Sequence, residues 1–156
     1  MIELTIPGYK KLQLSHLVLD HNGTLACDGK LFSGVKQALN ILAGQIQIHV
    51  LTADTFGIAE AELSGVSCRF SKTAPEDQEI GKLEYIKELG PGKAVCIGNG
   101  RNDRLMLKEA TLGIAVVQEE GAAVETLMAA DVVCPDILAA LNLLTHPLRL
   151  IATLRS

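Results

Sequence analysis

The chain has 156 residues, the size of one compact domain, and 48% of them are hydrophobic, enough for a sizeable core. Aromatic residues make up only 3% and tryptophan is absent, so the core must be aliphatic, as in α/β proteins with valine, isoleucine and leucine strands. The net charge of −4 argues against a nucleic-acid-binding protein, because phosphate backbones attract basic surfaces.

The four cysteines lie far apart and include no C-x-x-C pair, so they form neither a zinc nor a redox motif: Cys27, Cys68, Cys96 and Cys134. The N-terminus has no apolar signal region, and no run approaches 18 uninterrupted apolar residues. The sequence therefore predicts a soluble, cytoplasmic protein without a membrane partner.

Residues 2–6 and 12–14 alternate between apolar and polar side chains on either side of Pro7-Gly8, which predicts a β-hairpin. The apolar residues 17–19 follow and end abruptly at Asp20. A continuous apolar run closed by a turn is typical of a buried parallel strand that feeds a loop at its carboxyl end.

Strands and helices then alternate, which predicts a doubly wound parallel sheet with helices on both faces. Predicted helices cover residues 34–43, 57–63, 75–89, 103–110 and 122–129 and begin again at 135, and predicted strands cover residues 45–52, 66–70, 94–97, 113–117 and 131–134. Ser33 is predicted to cap the first helix, and Pro75 to lie just inside the third. That third helix is expected to bury Ile80, Leu83, Ile86 and Leu89. The last stretch, 148–156, is apolar and basic, and could pack on the domain or contact another subunit.

Polar side chains follow several of these strands at the carboxyl edge of the sheet, where ligands bind in open α/β folds. They are Asp20 with its glycine-threonine loop, Thr52, the helix-borne Lys82, and residues 99–103. Hydroxyls, a lysine and glycine-rich turns bind phosphate, and carboxylates with carbonyl oxygens hold Mg²⁺. This combination suits phosphoryl transfer to an aspartate nucleophile.

Three motifs in this order, D-H-N-G-T-L, L-T-A-D-T and G-N-G-R-N-D, resemble those of the haloacid dehalogenase-like superfamily of phosphotransferases. The branch with the greatest similarity is the phosphorylation domain of P-type ATPases, and the similarity runs from residue 17 to about residue 134. The resemblance implies a Rossmann-like fold, a small phosphorylated substrate and Mg²⁺ as cofactor.

The resemblance also implies residue roles. The implied catalytic residues are Asp20 as nucleophile, Asn22, Thr52 and Lys82. The implied phosphate-binding residues are Gly23, Thr24, Thr52, Ala53 and Lys82. The implied Mg²⁺ ligands are Asp20, Asn22 through its main-chain carbonyl, Asn99 and Asp103. Lys72 is a rival to Lys82 for the role of phosphate-binding lysine.

Two positions depart from the family pattern. Phosphatases of this superfamily usually carry an acid–base aspartate where this chain has Asn22, and a general acid or base contributes about 10²–10⁴ in rate, so turnover should be slow. Asn99 stands where the family usually has a metal-binding aspartate, which predicts weaker Mg²⁺ binding. These departures keep two alternatives open: a non-hydrolytic phosphate- or Mg²⁺-binding regulatory module, and a phosphoacceptor switch.

The spacing of the motifs leaves no room for the domains that relatives insert between them. Residues 1–156 are therefore predicted to form a single core domain without a cap, and the chain is not an ion pump. Superfamily members without caps often form oligomers, so a homo-oligomer is possible. Four further residues are given structural roles rather than catalytic ones. His21 is expected to be a solvated loop residue, His49 a structural histidine and Asp54 a helix cap, and Arg101 is expected to face solvent.

Overall fold

The computed structural model describes residues 1–54 and 57–156. Its strands are β1 (Ile2–Thr5), β2 (Lys11–Leu14), β3 (His16–Asp20), β4 (Ala26–Cys27), β5 (Lys30–Leu31), β6 (Gln47–Thr52), β7 (Cys68–Lys72), β8 (Ala94–Gly98), β9 (Leu112–Val116) and β10 (Val132–Cys134). Its helices are α1 (Val35–Ala43), α2 (Ile58–Glu62), α3 (Gln78–Leu89), α4 (Arg104–Glu109), α5 (Val124–Ala129), α6 (Ile137–Thr145) and α7 (Pro147–Leu154), with 3₁₀ turns at Pro91–Lys93 and Arg101–Asp103.

Six parallel strands form the main sheet in the order β10-β9-β8-β3-β6-β7, which confirms the predicted doubly wound α/β fold. From β3 the chain builds outward to β6 and β7, then returns to place β8 on the other side of β3. Ligands bind at the carboxyl edge of such a sheet, where the strand order reverses. Asp20 ends β3 and Asn99 directly follows β8, so these two residues flank that point.

The central strand β3 is buried on both faces, and its alternating side chains enter two separate cores. Leu17 and Leu19 pack with the N-terminal hairpin, α1 and α6. Val18 packs on the opposite face with Ile86 of α3 and Met106 of α4. An apolar run without a polar face is what a strand covered by helices on both sides requires.

The predicted N-terminal hairpin is confirmed: β1 and β2 pair antiparallel as a sheet of their own. Its inward side chains, among them Leu4 and Leu12, are buried against the main sheet. The turn of this hairpin contacts the residues just before β9 and β10. The Tyr9 hydroxyl donates to Asp131, and Lys10 donates to the Thr111 carbonyl oxygen at 2.6 Å.

Two predicted helix starts are wrong. Gly34, at φ +87°, occupies the N-cap of α1 without a side-chain cap hydrogen bond, so Ser33 does not cap it, since a left-handed turn leads the chain into this helix. Helix α3 begins at Gln78, and Pro75 lies in the turn before it. The buried face of α3 also differs from the prediction: Ile80 is 46% exposed, whereas Lys82 is 1% exposed beside Ile86, one helical turn along.

Other differences are smaller. Strand β7 begins two residues later than predicted, at Cys68. Two elements were missed: the short antiparallel hairpin of β4 and β5, and helix α7, which buries Leu150 in the 148–156 stretch. No single helix of the described residues is long and apolar enough to cross a membrane; α6 and α7 pass that test only as a pair, bent by 101° at their junction. The organisation as one domain without a cap stays a prediction.

Candidate active site at the carboxyl edge of the sheet

A buried ion triad lies at the centre of the site. The Lys82 ammonium, carried by α3, donates to Asp20 Oδ1 at 2.7 Å and to Asp103 Oδ1 at 2.6 Å. Lys82 and Asp103 are 1% and 0% exposed, and Asp20 is 8% exposed. The fold therefore brings together a strand end, a helix and the 3₁₀ turn after β8, three segments that are far apart in the sequence.

Asp103 holds the turn after β8 in place. Its Oδ2 accepts the main-chain N–H groups of Asn99 and Gly100 at 3.0 and 2.9 Å, while its Oδ1 accepts from Lys82. Gly98 makes room for this carboxylate, because a Cβ there would lie 2.5 Å from the Asp103 carboxyl carbon. Both Asp103 oxygens are thus already engaged by donors, and its predicted role as a metal ligand stays a prediction.

The triad contains two carboxylates and one ammonium, so with all three groups charged it has a net charge of −1. Burial and the charge of Asp20 raise the pKa of Asp103 to about 7, although Lys82 and the Gly100 N–H oppose that shift. Burial lowers the Lys82 pKa, but Asp20 and Asp103 outweigh it and leave that pKa above its usual value. Lys82 therefore stays charged, and Asp103 is the group that burial and like charge push toward protonation.

The loop after Asp20 is wound tightly around one carbonyl group. The N–H groups of Thr24, Leu25 and Ala26 all point to the His21 carbonyl oxygen, at 3.2, 2.9 and 3.2 Å. The Thr24 hydroxyl lies 3.2 Å from Asp20 Oδ2 and 3.3 Å from Asn99 Oδ1, so it donates to one of these two oxygens. The loop thereby links the two strand ends that flank the centre of the sheet.

Gly23 adopts φ +81° in this loop, and a Cβ there would lie 2.5 and 2.7 Å from the Asn99 side-chain amide atoms and would also clash with the Glu120 carboxylate. We expect Gly23→Ala to lower the free energy of unfolding by about 1–2 kcal/mol for backbone strain. Overpacking against Asn99 should add about 1–3 kcal/mol.

Gly65→Ala is the matched control, because Gly65 has φ +88° but no atom near its added methyl group. Urea unfolding of both variants separates strain from contact. Equal losses would contradict the close packing of Gly23 on Asn99.

Thr52 lies at the end of the neighbouring strand, 5% exposed. Its hydroxyl oxygen accepts the Asp54 N–H at 3.0 Å, so its own proton is left for another acceptor. Asp54 in turn accepts the Ala59 N–H at 2.8 Å, as a cap of α2, in agreement with its predicted role. Ala53 is half-buried beside Thr52, and Thr55 of the same motif lies outside the described residues.

Of the two rival lysines, the fold brings Lys82 to Asp20. Lys72 ends β7 with an exposed side chain, and within residues 1–54 and 57–156 it forms no ion pair. Asn102 adds an oxygen 3.4 Å from the Lys82 ammonium and donates to Gln78 at 2.6 Å. Sequence reasoning missed Gln78, for which only its position one helical turn before Lys82 was a signal.

The histidines divide between one correct and one wrong prediction. His49 is fully buried, and its ring nitrogens lie 2.8 Å from the Tyr85 hydroxyl and 3.1 Å from His16 Nδ1, as a structural histidine requires. His21 is not a solvated loop residue: it is 3% exposed, and its Nδ1 has no hydrogen-bond partner in the part of the chain that the structure describes. Burial lowers its pKa. Arg101 is exposed, as predicted, and pairs with Glu125.

The oxygens around Asp20 fit a hard divalent cation. Asp20 Oδ2 and Asn99 Oδ1 both face the Thr24 hydroxyl, and Asn22 lies in the same loop with an exposed side chain. No group of three or more His, Cys, Asp or Glu side chains that could hold a metal gathers among the described residues. Mg²⁺ keeps several waters and uses one or two carboxylates, so this small donor set suits it better than it suits Ca²⁺ or Zn²⁺.

Comparison with known proteins begins with sequence. No protein-family model matches the chain. The uncharacterised protein MJ0073 of Methanocaldococcus jannaschii is 46% identical over 82 residues, which span 50% of this chain and 88% of that protein. A second uncharacterised protein of the same organism, MJ0072, is 51% identical over 39 residues, which span 25% of this chain and 89% of that protein.

Solved structures resemble the whole fold. A protein described as a HAD superfamily (subfamily III A) hydrolase from Legionella pneumophila matches with a TM-score of 0.69 and 18% identity, covering 90% of this chain and 88% of that one. The 3-deoxy-D-manno-octulosonate 8-phosphate phosphatase of Moraxella catarrhalis, in complex with magnesium and phosphate ions and KDO, matches with 0.67 and 16%, covering 91% and 87%. Phosphoserine phosphatase from T. onnurineus matches with 0.62 and 12%, covering 86% and 96%.

The structural matches, at 12–18% sequence identity, show a shared fold. The two sequence matches, at 46% and 51% identity, show membership of one protein family. The particular resemblance to P-type ATPases stays a prediction. The chain belongs to the same family as MJ0073 and MJ0072, and it has the haloacid dehalogenase-like fold.

Proposed function

We propose that the chain is a Mg²⁺-dependent phosphohydrolase that acts through a phosphorylated Asp20 on a small phosphorylated substrate. The observation that carries this proposal is the contact of 2.7 Å between the Lys82 ammonium and Asp20, at the centre of the carboxyl edge of the sheet. A buried cation beside a carboxylate at this edge is the arrangement that attack on a phosphate ester requires. The phosphatases among the structural relatives support the same proposal.

In the proposed reaction, an Asp20 oxygen attacks phosphorus while the bond to the substrate oxygen breaks, and the leaving group takes a proton from water. A second water then hydrolyses the acyl phosphate, which releases inorganic phosphate and restores the Asp20 carboxylate. Lys82 would offset the charge of the phosphoryl oxygens, and the Thr52 hydroxyl proton, which the Asp54 contact leaves free, would bind one of them. Thr24 would bind another by turning its hydroxyl away from Asp20 or Asn99. Bound Mg²⁺ would neutralise further phosphoryl charge, held by Asp20, the Asn22 carbonyl and Asn99.

Proton transfer is the weak point of this site. Asn22 follows the proposed nucleophile by two residues, at the position where the family usually has an acid–base aspartate, and its side chain is exposed, but an amide cannot exchange a proton near neutral pH. Slow turnover is therefore part of the proposal. Hydrolysis of a generic aryl phosphate with and without Mg²⁺ tests it directly, and wild-type protein should show slow, Mg²⁺-dependent release of phosphate.

Asn22→Asp should raise kcat by about 10²-fold, because it restores an acid–base group at that position. The matched control is Asn40→Asp on the exposed face of α1, which should leave the rate unchanged. An inactive wild type with an active Asn22→Asp variant would contradict the hydrolase and favour the phosphoacceptor switch. No activity in either protein would contradict both readings and leave a binding module.

A further inference from the structure

The turn after β9, residues 118–121, forms hydrogen bonds with two parts of the candidate site, the loop after Asp20 and the Asn99 side chain. The Gln118 amide nitrogen donates to the carbonyl oxygens of Gly23 and Thr24 at 3.0 and 2.9 Å. On the other side, the Gly121 carbonyl oxygen accepts from Asn99 Nδ2 at 3.0 Å. Residues 118–121 therefore form a wall of the site, although none of the three sequence motifs includes them.

This turn brings one carboxylate to Asn99. The Glu120 side chain lies against Gly23, at the point where a Cβ would meet both the Glu120 carboxylate and the Asn99 side-chain amide. Within residues 1–54 and 57–156, the Glu120 carboxylate accepts no hydrogen bond and forms no ion pair. An exposed acidic side chain without a partner among these residues thus lies near Asn99, the one donor of the predicted Mg²⁺ site that lacks the family's charge.

The charges at the site explain what Glu120 could supply. Lys82 engages Oδ1 of both Asp20 and Asp103, and two main-chain N–H groups engage the second oxygen of Asp103. The anionic oxygen that remains beside Asn99 is Asp20 Oδ2. A divalent cation held by this single carboxylate, neutral oxygens and waters would be bound weakly.

We propose that Glu120 replaces the carboxylate that position 99 lacks, and binds the divalent cation directly or through one of its waters. The inference rests on the proposed function, because it concerns the same metal. In this arrangement the negative charge that the family carries at position 99 is supplied from the neighbouring turn instead. The Gln118 hydrogen bonds, which hold that turn against the Asp20 loop, would then also position Glu120 for metal binding.

The test is calorimetric titration of Mg²⁺ into wild-type protein, Glu120→Gln and Glu119→Gln. Glu119 is the matched control, since it is an exposed carboxylate on the same turn. Glu120→Gln should weaken Mg²⁺ binding by about tenfold. Glu119→Gln should leave the dissociation constant unchanged, and thermal unfolding without Mg²⁺ should be the same for all three proteins.

Asn99→Asp gives a second, independent readout. It should tighten Mg²⁺ binding, and in this background Glu120→Gln should cost much less than in wild type, because the charge is already restored. Equal weakening by Glu119→Gln and Glu120→Gln, or a full loss in both backgrounds, would overturn the inference while leaving the proposed function intact. Wild-type protein that takes up no Mg²⁺ at millimolar concentration would overturn the metal dependence of the proposed function and, with it, the inference.

Discussion

Asp20→Asn should abolish phosphate-ester hydrolysis, with kcat falling by about 10⁴-fold or more, because the amide has no anionic oxygen for attack on phosphorus. The variant should still fold. One ammonium now serves two buried carboxylates, and the charge of Asp20 raises the pKa of Asp103. A neutral amide removes that repulsion, so the urea midpoint should stay the same or rise.

Aryl phosphate hydrolysis and urea unfolding measure the two effects on the same preparation. Asp28→Asn is the matched control, since Asp28 lies exposed in the β4–β5 turn of the same segment, and it should retain wild-type rates. Beryllium fluoride, a mimic of the aspartyl phosphate, should bind wild-type protein and not Asp20→Asn. Retained activity in Asp20→Asn would refute Asp20 as the nucleophile.

Lys82→Met should lower the free energy of unfolding by about 3–5 kcal/mol at pH 8, because it leaves two buried carboxylates without their counter-charge. Lys87→Met, on the exposed face of the same helix, should cost little. The methionine side chain fills most of the lysine volume, so the loss reports charge rather than a cavity. Chemical denaturation of both variants measures the difference.

The loss in Lys82→Met should shrink as the pH falls. The pKa of Asp103, already raised to about 7 in the folded protein, should rise further without the ammonium. Both folded proteins then bind a proton that the unfolded chain, with its ordinary carboxyl pKa, releases, but the variant binds it more tightly. Its stability therefore increases more than that of the wild type from pH 8 towards pH 5, and the difference between them shrinks. A loss that is the same at both pH values would show that the charges of the triad do not determine its stability.

The sheet was the predictable part of the structure. Buried parallel strands such as β3 and β8 appear in the sequence as short apolar runs that end at a polar residue or glycine, and this pattern depends only on local burial. The three motifs located Asp20, Thr52 and Asp103 for the same reason, since each lies at or just beyond a strand end. The sequence alone could not decide between Lys82 and Lys72 as the lysine of the site. The decision depends on how far α3 is rotated about its axis, which sets where the Lys82 side chain points.

What the sequence did not reveal depends on contacts between distant segments. The burial of His21 and the approach of Glu120 to Gly23 are set by the docking of loops from different strands, and neither loop has a periodic pattern. The wrong start of α3 has a local cause: Pro75 and two acids satisfy the usual helix-start rule, but they form a turn and the helix begins after them. The exposure of Ile80 and the burial of Lys82 have a different cause, the rotation of α3 about its axis, which depends on how the helix docks on the sheet.

The strand order has a consequence for how the protein is made. β3 pairs on one side with β6 and on the other with β8, and His16 lies opposite Ala94. During synthesis, the central strand therefore keeps one open edge until the chain beyond residue 94 has emerged, and Asp20 stays solvated without its lysine until α3 has docked. The candidate site at the carboxyl edge can form only after both halves of the sheet have closed around β3, so a nascent or truncated chain without β8 lacks the assembled site.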